Sequence, residues 1–247
     1  MLIILLNKIR YIGLTQEKVH KIILFIFLVV IMIEFKTLKF KWTGHDGFII
    51  SNKSGKKVVI DPFKVDSAEP VDVVVSTHEH FDHCDIESIK KFLKPETEII
   101  AIPMAKDRFK GIKNKIHYVK PGETKVINEI IFEFFPSYNI NKFREPGKPF
   151  HPKEDGKIGV VIIIDDIKVL HAGDSDATEE LKSQKVDVAM LPVSGTYVMT
   201  AEEAVETVNI MKPALAIPMH FGNIVGTDKD AMLFKEKANV NVEIPKK

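Results

Sequence analysis

Cysteine is almost missing from this chain. Its one Cys, Cys84, excludes an internal disulfide and any zinc site built from several thiolates, and it fits a reducing compartment. Charge of one sign is missing as well. Lys and Arg number 35 and Asp and Glu 34, so the chain lacks the general electrostatic signature of a nucleic-acid binder, and no nucleic-acid partner is expected. No apolar run reaches the roughly 17–25 residues that a bilayer span needs. The run Ile22–Ile33, IILFIFLVVIMI, stops at 12 residues. That suits a signal-peptide core, but no small-residue cleavage site follows. Three readings are open: translation from Met32 with an upstream extension, a membrane anchor through residues 19–35, or a packed N-terminal helix. Residues 1–35 are therefore set apart as a hydrophobic N-terminal segment and residues 36–247 as one domain. The domain is expected to be cytoplasmic, or held at a membrane if the segment is an anchor.

What is present is an orderly series of strands. With 247 residues, 45% of them hydrophobic, a substantial core can form. Residues 34–43, EFKTLKFKWT, read as one strand in which Leu38, Phe40 and Trp42 alternate with polar residues. Gly44-His45-Asp46-Gly47 is a turn. Further strands are expected over 48–50, 57–61, 71–76, 98–102, 116–119, 125–128, 130–135, 159–164, 167–170, 186–191 and 214–218. The run GVVIIID predicts a strand buried on both faces. Helices are expected over 85–93 with Asp85 as N-cap, over 104–109, from the capping box Thr200-Ala201-Glu202-Glu203 to Met211, and over 228–238. Residues 136–157 form a long polar loop, and loops of that length are often functional. The two halves share an order of elements, which suggests two sheets packed face to face with helices outside.

The densest chemistry lies in Thr77–Asp85, THEHFDHCD. His78, His80 and His83 fall within six residues and Asp82 lies among them. Imidazole nitrogens and carboxylate oxygens are ligands for zinc and similar ions. In an extended segment His78 and His80 point the same way, whereas Asp82 and His83 face elsewhere. Such a loop divides most naturally between two ions, an arrangement known for hydrolysis. A solvent-facing polar loop is the plainer alternative, but three His and an Asp directly after an apolar strand weigh against it. Asp174, after another strand, is a candidate bridge, and His220, after a third, a candidate terminal ligand.

The pattern His78-x-His80-x-Asp82-His83 resembles the signature of the metallo-β-lactamase superfamily. Asp61, Gly173-Asp174 and Pro218-Met219-His220 match its other motifs in order and rough spacing from about residue 36 onward. Within the superfamily, Gly44-His45, His171-Ala172-Gly173-Asp174, Gly195–Met199 and Pro218–Gly222 look like the branch that includes ascorbate-6-phosphate lactonases. The resemblance implies an α/β, four-layer αββα sandwich with two mixed sheets and outer helices. It implies two divalent ions, zinc first and manganese or iron as alternatives, held by His78, His80, Asp82, His83, Asp174 and His220. It also implies a metal-activated hydroxide acting on an ester, lactone, amide or phosphodiester of a small molecule. Asp82 would bind one metal and orient the nucleophile with His83 beside it, and Asp61 would support the metal loop. One position departs from the pattern. Asn139 stands where a third histidine for the first ion is expected. His151 is favoured in its place because imidazole suits zinc better than an amide; otherwise that first site is incomplete or filled by water.

Other residues have plainer readings. Cys84 is expected to be buried and inert. His171 is expected to hydrogen-bond behind the site, and His45 either lines it or serves the fold. Tyr197 is a candidate donor to a substrate oxyanion, with packing as the alternative. His20 and His117 are taken as structural or surface residues. Two other functions compete with hydrolysis. One is a di-iron redox protein of the same fold without a flavin domain, in which Glu79 would supply a carboxylate. The other is a binding protein whose metal is only structural.

Overall fold

The computed structural model describes residues 32–246. Most of the apolar N-terminal run, and His20 with it, lies outside these residues. Among the described residues no helix is long and apolar enough to cross a membrane.

Two sheets form the body. The first contains seven strands in chain order: β1 (Met32–Phe35), β2 (Leu38–Gly44), β3 (Gly47–Ser51), β4 (Lys57–Ile60), β5 (Val73–Val75), β6 (Glu98–Ala101) and β7 (Ile116–Tyr118). It is antiparallel from β1 to β4 and parallel from β4 to β7. The second sheet contains β8 (Thr124–Ile127), β9 (Ile130–Pro136), β12 (Ile158–Ile164), β13 (Ile167–His171), β14 (Val188–Pro192) and β15 (Leu215–Met219). Its spatial order is β15-β14-β13-β12-β9-β8, parallel across the first three strands and antiparallel across the rest. The buried side chains of both sheets merge into one core. Helix α1 (Ile86–Lys91) buries Ile89 on the first sheet's side, while α2 (Glu179–Lys182), α3 (Ala201–Met211) and α4 (Asp228–Lys237) pack on β9, β14 and β15. The architecture is the αββα sandwich.

Local sequence explains these elements. β2 alternates buried Leu38 and Phe40 with exposed Lys39 and Lys41, as a strand with one wet face must. β12, all apolar apart from Gly159, is buried almost throughout between β9 and β13. The Asp85 side chain caps α1, and capping boxes open α3 (Thr200, Glu203) and α4 (Thr227, Asp230).

Two expectations change. The strand expected over 34–43 is a hairpin. Lys36 takes a left-handed φ of 55°, the chain reverses at Lys36-Thr37, and β1 pairs back on β2. Among the described residues the first sheet thus includes Met32–Phe35, inside the segment that composition sets apart. The loop over 136–157 also has structure of its own: a small hairpin of β10 (Phe143–Glu145) and β11 (Lys148–Pro149), then a 3-10 turn over Lys153–Asp155.

Register places several chain ends together. The β2–β3 turn, the exits of β4 and β5, the exit of β9, and the exits of β13, β14 and β15 all lie along one edge of the sandwich. β3 starts opposite the end of β4 (Phe48 beside Ile60), and β9 ends opposite the start of β12 (Pro136 beside Ile158). A backbone bond from Ile158 to the Thr77 carbonyl ties the sheets at this edge. The Thr200 side chain accepts from the Glu203 amide at the start of α3, just after the 194–199 loop on this edge. Thr200→Ala should lower unfolding free energy by about 1 kcal/mol, read as a lower denaturant midpoint with unchanged slope.

Candidate metal centre

Asp61 anchors the site from the end of β4. It has a left-handed φ of 42° and is fully buried. The Thr77 amide and hydroxyl donate to it at 2.8 and 2.6 Å, and His83 Nδ1 at 2.8 Å. The His83 tautomer is thereby set, with Nδ1 carrying the proton and Nε2 facing the interior. His78 is set the same way: its Nδ1 donates to Thr77 Oγ1 at 3.1 Å, which is free to accept because its own proton goes to Asp61. The short run after β5 thus presents two imidazoles with their Nε2 atoms directed inward.

His151 arrives from the long loop. Asn139 holds it with three bonds: the Asn139 amide donates to the His151 carbonyl, and Asn139 Oδ1 accepts from both the His151 amide and Nδ1, all at 2.9 Å. Asn139 Nδ2 in turn donates to the Tyr197 carbonyl (2.8 Å) and to Asp176 (3.2 Å). The residue in the expected histidine's place therefore orients the histidine that reaches the site. His151 Nε2 lies 3.3 Å from His80 Nδ1 and 3.2 Å from Asp174 Oδ2. Two nitrogens held about 2.0–2.1 Å from one tetrahedral ion would be spaced in the same way.

Two groups of ligand-type residues result: His78, His80, His151 and Asp174 in one, and His45, Asp46, His83 and His220 in the other. Asp174 joins them. Its Oδ2 faces His151 and His78 (3.2 and 3.8 Å), and its Oδ1 faces His83 and His220 (3.2 and 3.5 Å). His220, with φ 59° directly after β15, is oriented by Ser194, whose hydroxyl oxygen lies 2.8 Å from Nδ1. Asp82 stands at the rim, partly exposed, and accepts from His45 Nε2 at 3.2 Å; its Oδ2 is 3.9 Å from His83 Nε2.

Charge separates the two groups. Burial, then the charges of His83 and other neighbours, keeps His78 well below the usual imidazole range. Burial, then His151 and Lys157, takes His80 down to about 4. Both are neutral lone-pair donors at pH 7. Burial would also lower His83 and His220, but carboxylates outweigh it. Asp174 and Asp61 hold His83 well above the usual range, and Asp174 and Asp46 lift His220 to about 9. Burial opposes the ionised form of Asp174 too, yet His83 and His220 keep it well below the carboxylate range. The second group surrounds a place where positive charge is favoured.

The unpaired atoms test whether cations fit. Buried and without a hydrogen-bond partner are His78 Nε2, His83 Nε2, His45 Nδ1, Asp174 Oδ1 and both oxygens of Asp46. Orphaned buried polar atoms are costly and rare. Here His83 Nε2 lies 3.2 Å from Asp174 Oδ1 and 3.4 Å from Asp46 Oδ2, and divalent cations would satisfy this donor set.

The remaining expected residues have different surroundings. His171 Nδ1 accepts the Gly173 amide and Nε2 donates to the Asp46 carbonyl (2.9 Å), so it braces two site loops from behind. His45 lines the site. Tyr197 packs edge-on against Phe150 at 4.7 Å on the rim. Glu79, on which the di-iron alternative leans, accepts from buried Lys157 at 2.8 Å. His117 pairs with Glu98 away from the site. Asp46 was missed at the sequence level, because an Asp in a Gly-flanked turn is ordinary turn chemistry. Its one distinguishing signal was a turn that brings charge to the same sheet edge as the histidines. Ser194, Thr77 and the supporting role of Asn139 were missed as well.

A family model described as a beta-lactamase superfamily domain matches residues 39–220. The chain belongs to the metallo-β-lactamase superfamily. A metal-dependent hydrolase from Nanoarchaeum equitans is 28% identical over 205 residues, covering 81% of this chain and 92% of that protein. A crystal structure of a Parabacteroides distasonis protein superposes with a TM-score of 0.72 at 27% identity, covering 87% of this chain and 97% of that one. A metallo hydrolase from Ignicoccus hospitalis shares the fold, with a TM-score of 0.67 at 21% identity, covering 85% of this chain and 95% of that one. Metal-dependent hydrolysis is thus the activity for which superfamily relatives of this chain are named.

Cys84 abuts the metal loop, but burial pushes its thiol up to about 11. The thiolate is the reactive form, and below that pH it is scarce in the folded protein. A disulfide reagent at pH 8 should label no thiol in the native protein and one per chain in denaturant. Rapid native labelling would show an accessible thiolate instead.

Proposed function

We propose that this chain is a binuclear metal-dependent hydrolase of a small organic ester, lactone, amide or phosphodiester. The observation that carries the reading is the Asp174 carboxylate, whose two oxygens face two separate groups of imidazoles. His78, His80 and His151 would hold one ion, His83, His220 and Asp82 the other, and Asp174 would serve both. Zinc is the first expectation, with manganese or iron as alternatives. Bound divalent ions supply Lewis-acid activation of water and of the bond under attack.

The chain's own residues do the rest. Asp61, Thr77, Asn139 and Ser194 orient the imidazoles, so the rings need no rotation when a cation arrives, though His83 and His220, held protonated without metal, would each release a proton. Asp82 is the site carboxylate nearest solvent. Its Oδ2 accepts a hydrogen bond from His45 Nε2, which leaves Oδ1 to serve the second ion and orient an entering water. Apolar side chains of Phe81, Ile140 and Tyr197 are exposed on segments that carry site residues, a rim suited to an apolar substrate portion. Lys142 beside them is engaged by Glu203 and Asp176, which leaves little for a polyanion. The pairing of Glu79 with Lys157 favours hydrolysis over the di-iron alternative.

Metal analysis tests the proposal directly. The purified full chain should hold about two divalent ions, lose them to a chelator with its activity, and regain both on reloading. A screen of lactones, phosphodiesters and N-acyl compounds against reloaded protein should identify the reacting bond. A folded protein that neither contains nor takes up metal would sink the proposal. Asn139→Ala should leave the circular dichroism spectrum unchanged and weaken the first ion's affinity by about 10–100-fold, because His151 loses the acceptor that orients it.

A further inference from the structure

Asp46 lies at the tip of the β2–β3 turn and is fully buried. Both of its carboxylate oxygens lack a hydrogen-bond donor. Oδ2 lies 3.4 Å from His83 Nε2 and 3.9 Å from Nε2 of both His220 and His45. A turn aspartate ordinarily uses its carboxylate to cap nearby backbone amides. This one caps none. The turn is fixed by other groups: Trp42 Nε1 and the His220 amide donate to the His45 carbonyl, and His171 donates to the Asp46 carbonyl. Gly47 completes it, since a Cβ there would lie 2.0 Å from Thr43 Oγ1. Rigid backbone thus aims a carboxylate that no hydrogen-bond donor meets at His83 and His220.

We propose that the Asp46 carboxylate is a ligand of the second ion, alongside His83, His220, Asp82 and Asp174, and that it biases that position toward a hard divalent cation, Mn²⁺ or Fe²⁺, over zinc. This rests on the binuclear reading above. Carboxylate oxygens suit manganese, whereas imidazoles suit zinc. The group of His78, His80 and His151 has three imidazoles and one shared carboxylate. Around His83 and His220, by contrast, lie Asp46, Asp82 and Asp174. The two positions therefore differ in hardness, and the chain is built for a mixed pair of metals.

The full-length protein, stripped with a chelator, is reloaded with equimolar zinc and manganese and analysed by mass spectrometry. Wild type should retain about one of each. Asp46→Asn keeps the shape without the charge; it should retain the zinc and bind manganese at least about tenfold more weakly. Melting temperatures separate ligation from a structural role. Without metal Asp46 balances His83 and His220, so the metal-free variant should melt lower than metal-free wild type; ligation is read instead as a smaller gain in melting temperature on adding metal. Asp46→Ser should repeat both results should the Asn variant fold poorly. Undiminished manganese affinity in a folded variant overturns the proposal. So does a variant destabilised without metal whose metal-induced gain is intact, which would make Asp46 a turn residue only. A wild type that takes two zinc ions and excludes manganese overturns the bias, and one that takes no metal overturns the binuclear reading itself.

Discussion

Charge buried between two apolar sheets is the constraint on which this molecule depends. Asp61, Asp46 and Asp174 lie at the inner edge of the sandwich, with His78, His83 and His220 among them, all shielded from water. An unbalanced ion in such a place is costly, and only excellent geometry or a bound cation makes it tolerable. The fold meets the constraint unevenly. Asp61 is fully satisfied by Thr77 and His83 and so serves as the fixed point. Asp174 is shared between imidazoles that belong to different strands and loops. Asp46 is not satisfied at all by hydrogen bonding. From Asp61 to Asp46 the carboxylates pass from structural to ion-demanding. The site is thus one gradient of polar satisfaction, deepest where it holds the scaffold and poorest where a cation would lie.

The strands supply the rigidity that this requires. Apart from His151, the site residues come from exits after buried strands or from a turn between two strands. The parallel registers across β4 to β6 and β13 to β15 bring these exits to a common edge. Left-handed backbone at His45, Asp61 and His220 turns each side chain back toward the interior just as its strand ends. Such conformations are strained for residues with a Cβ and persist where surrounding structure holds them.

Much of this was legible in the sequence, for physical reasons. Strand patterns depend on local alternation, so β2, β12 and the capped helices α1, α3 and α4 could be read directly. The His78–His83 cluster is dense enough to stand out with no partner in view. What escaped depends on contacts distant in sequence. The β1–β2 hairpin is marked only by a phase slip, from Ile33 and Phe35 to Leu38 and Phe40, with no Gly or Pro at the reversal. Asp46 looks like any turn aspartate until His83 and His220 are brought beside it. Asn139 looked like a gap in a pattern. Its function as the acceptor for His151, 12 residues on, exists only once the loop has folded back on itself.

That folding back has a consequence for how the molecule would respond to its substrate. His151 is not delivered by a strand exit. It comes from the far end of a loop that also carries Ile140 and Phe150, and Asn139 ties it to the carbonyl of Tyr197 on another loop. The wall that a substrate would touch and the arm that would grip the first cation are therefore one mechanical piece. Whatever orders that loop also tightens the grip, and by reciprocity a tightly held cation pre-shapes the wall. Affinity for metal and affinity for substrate would then be coupled through covalent continuity of the chain.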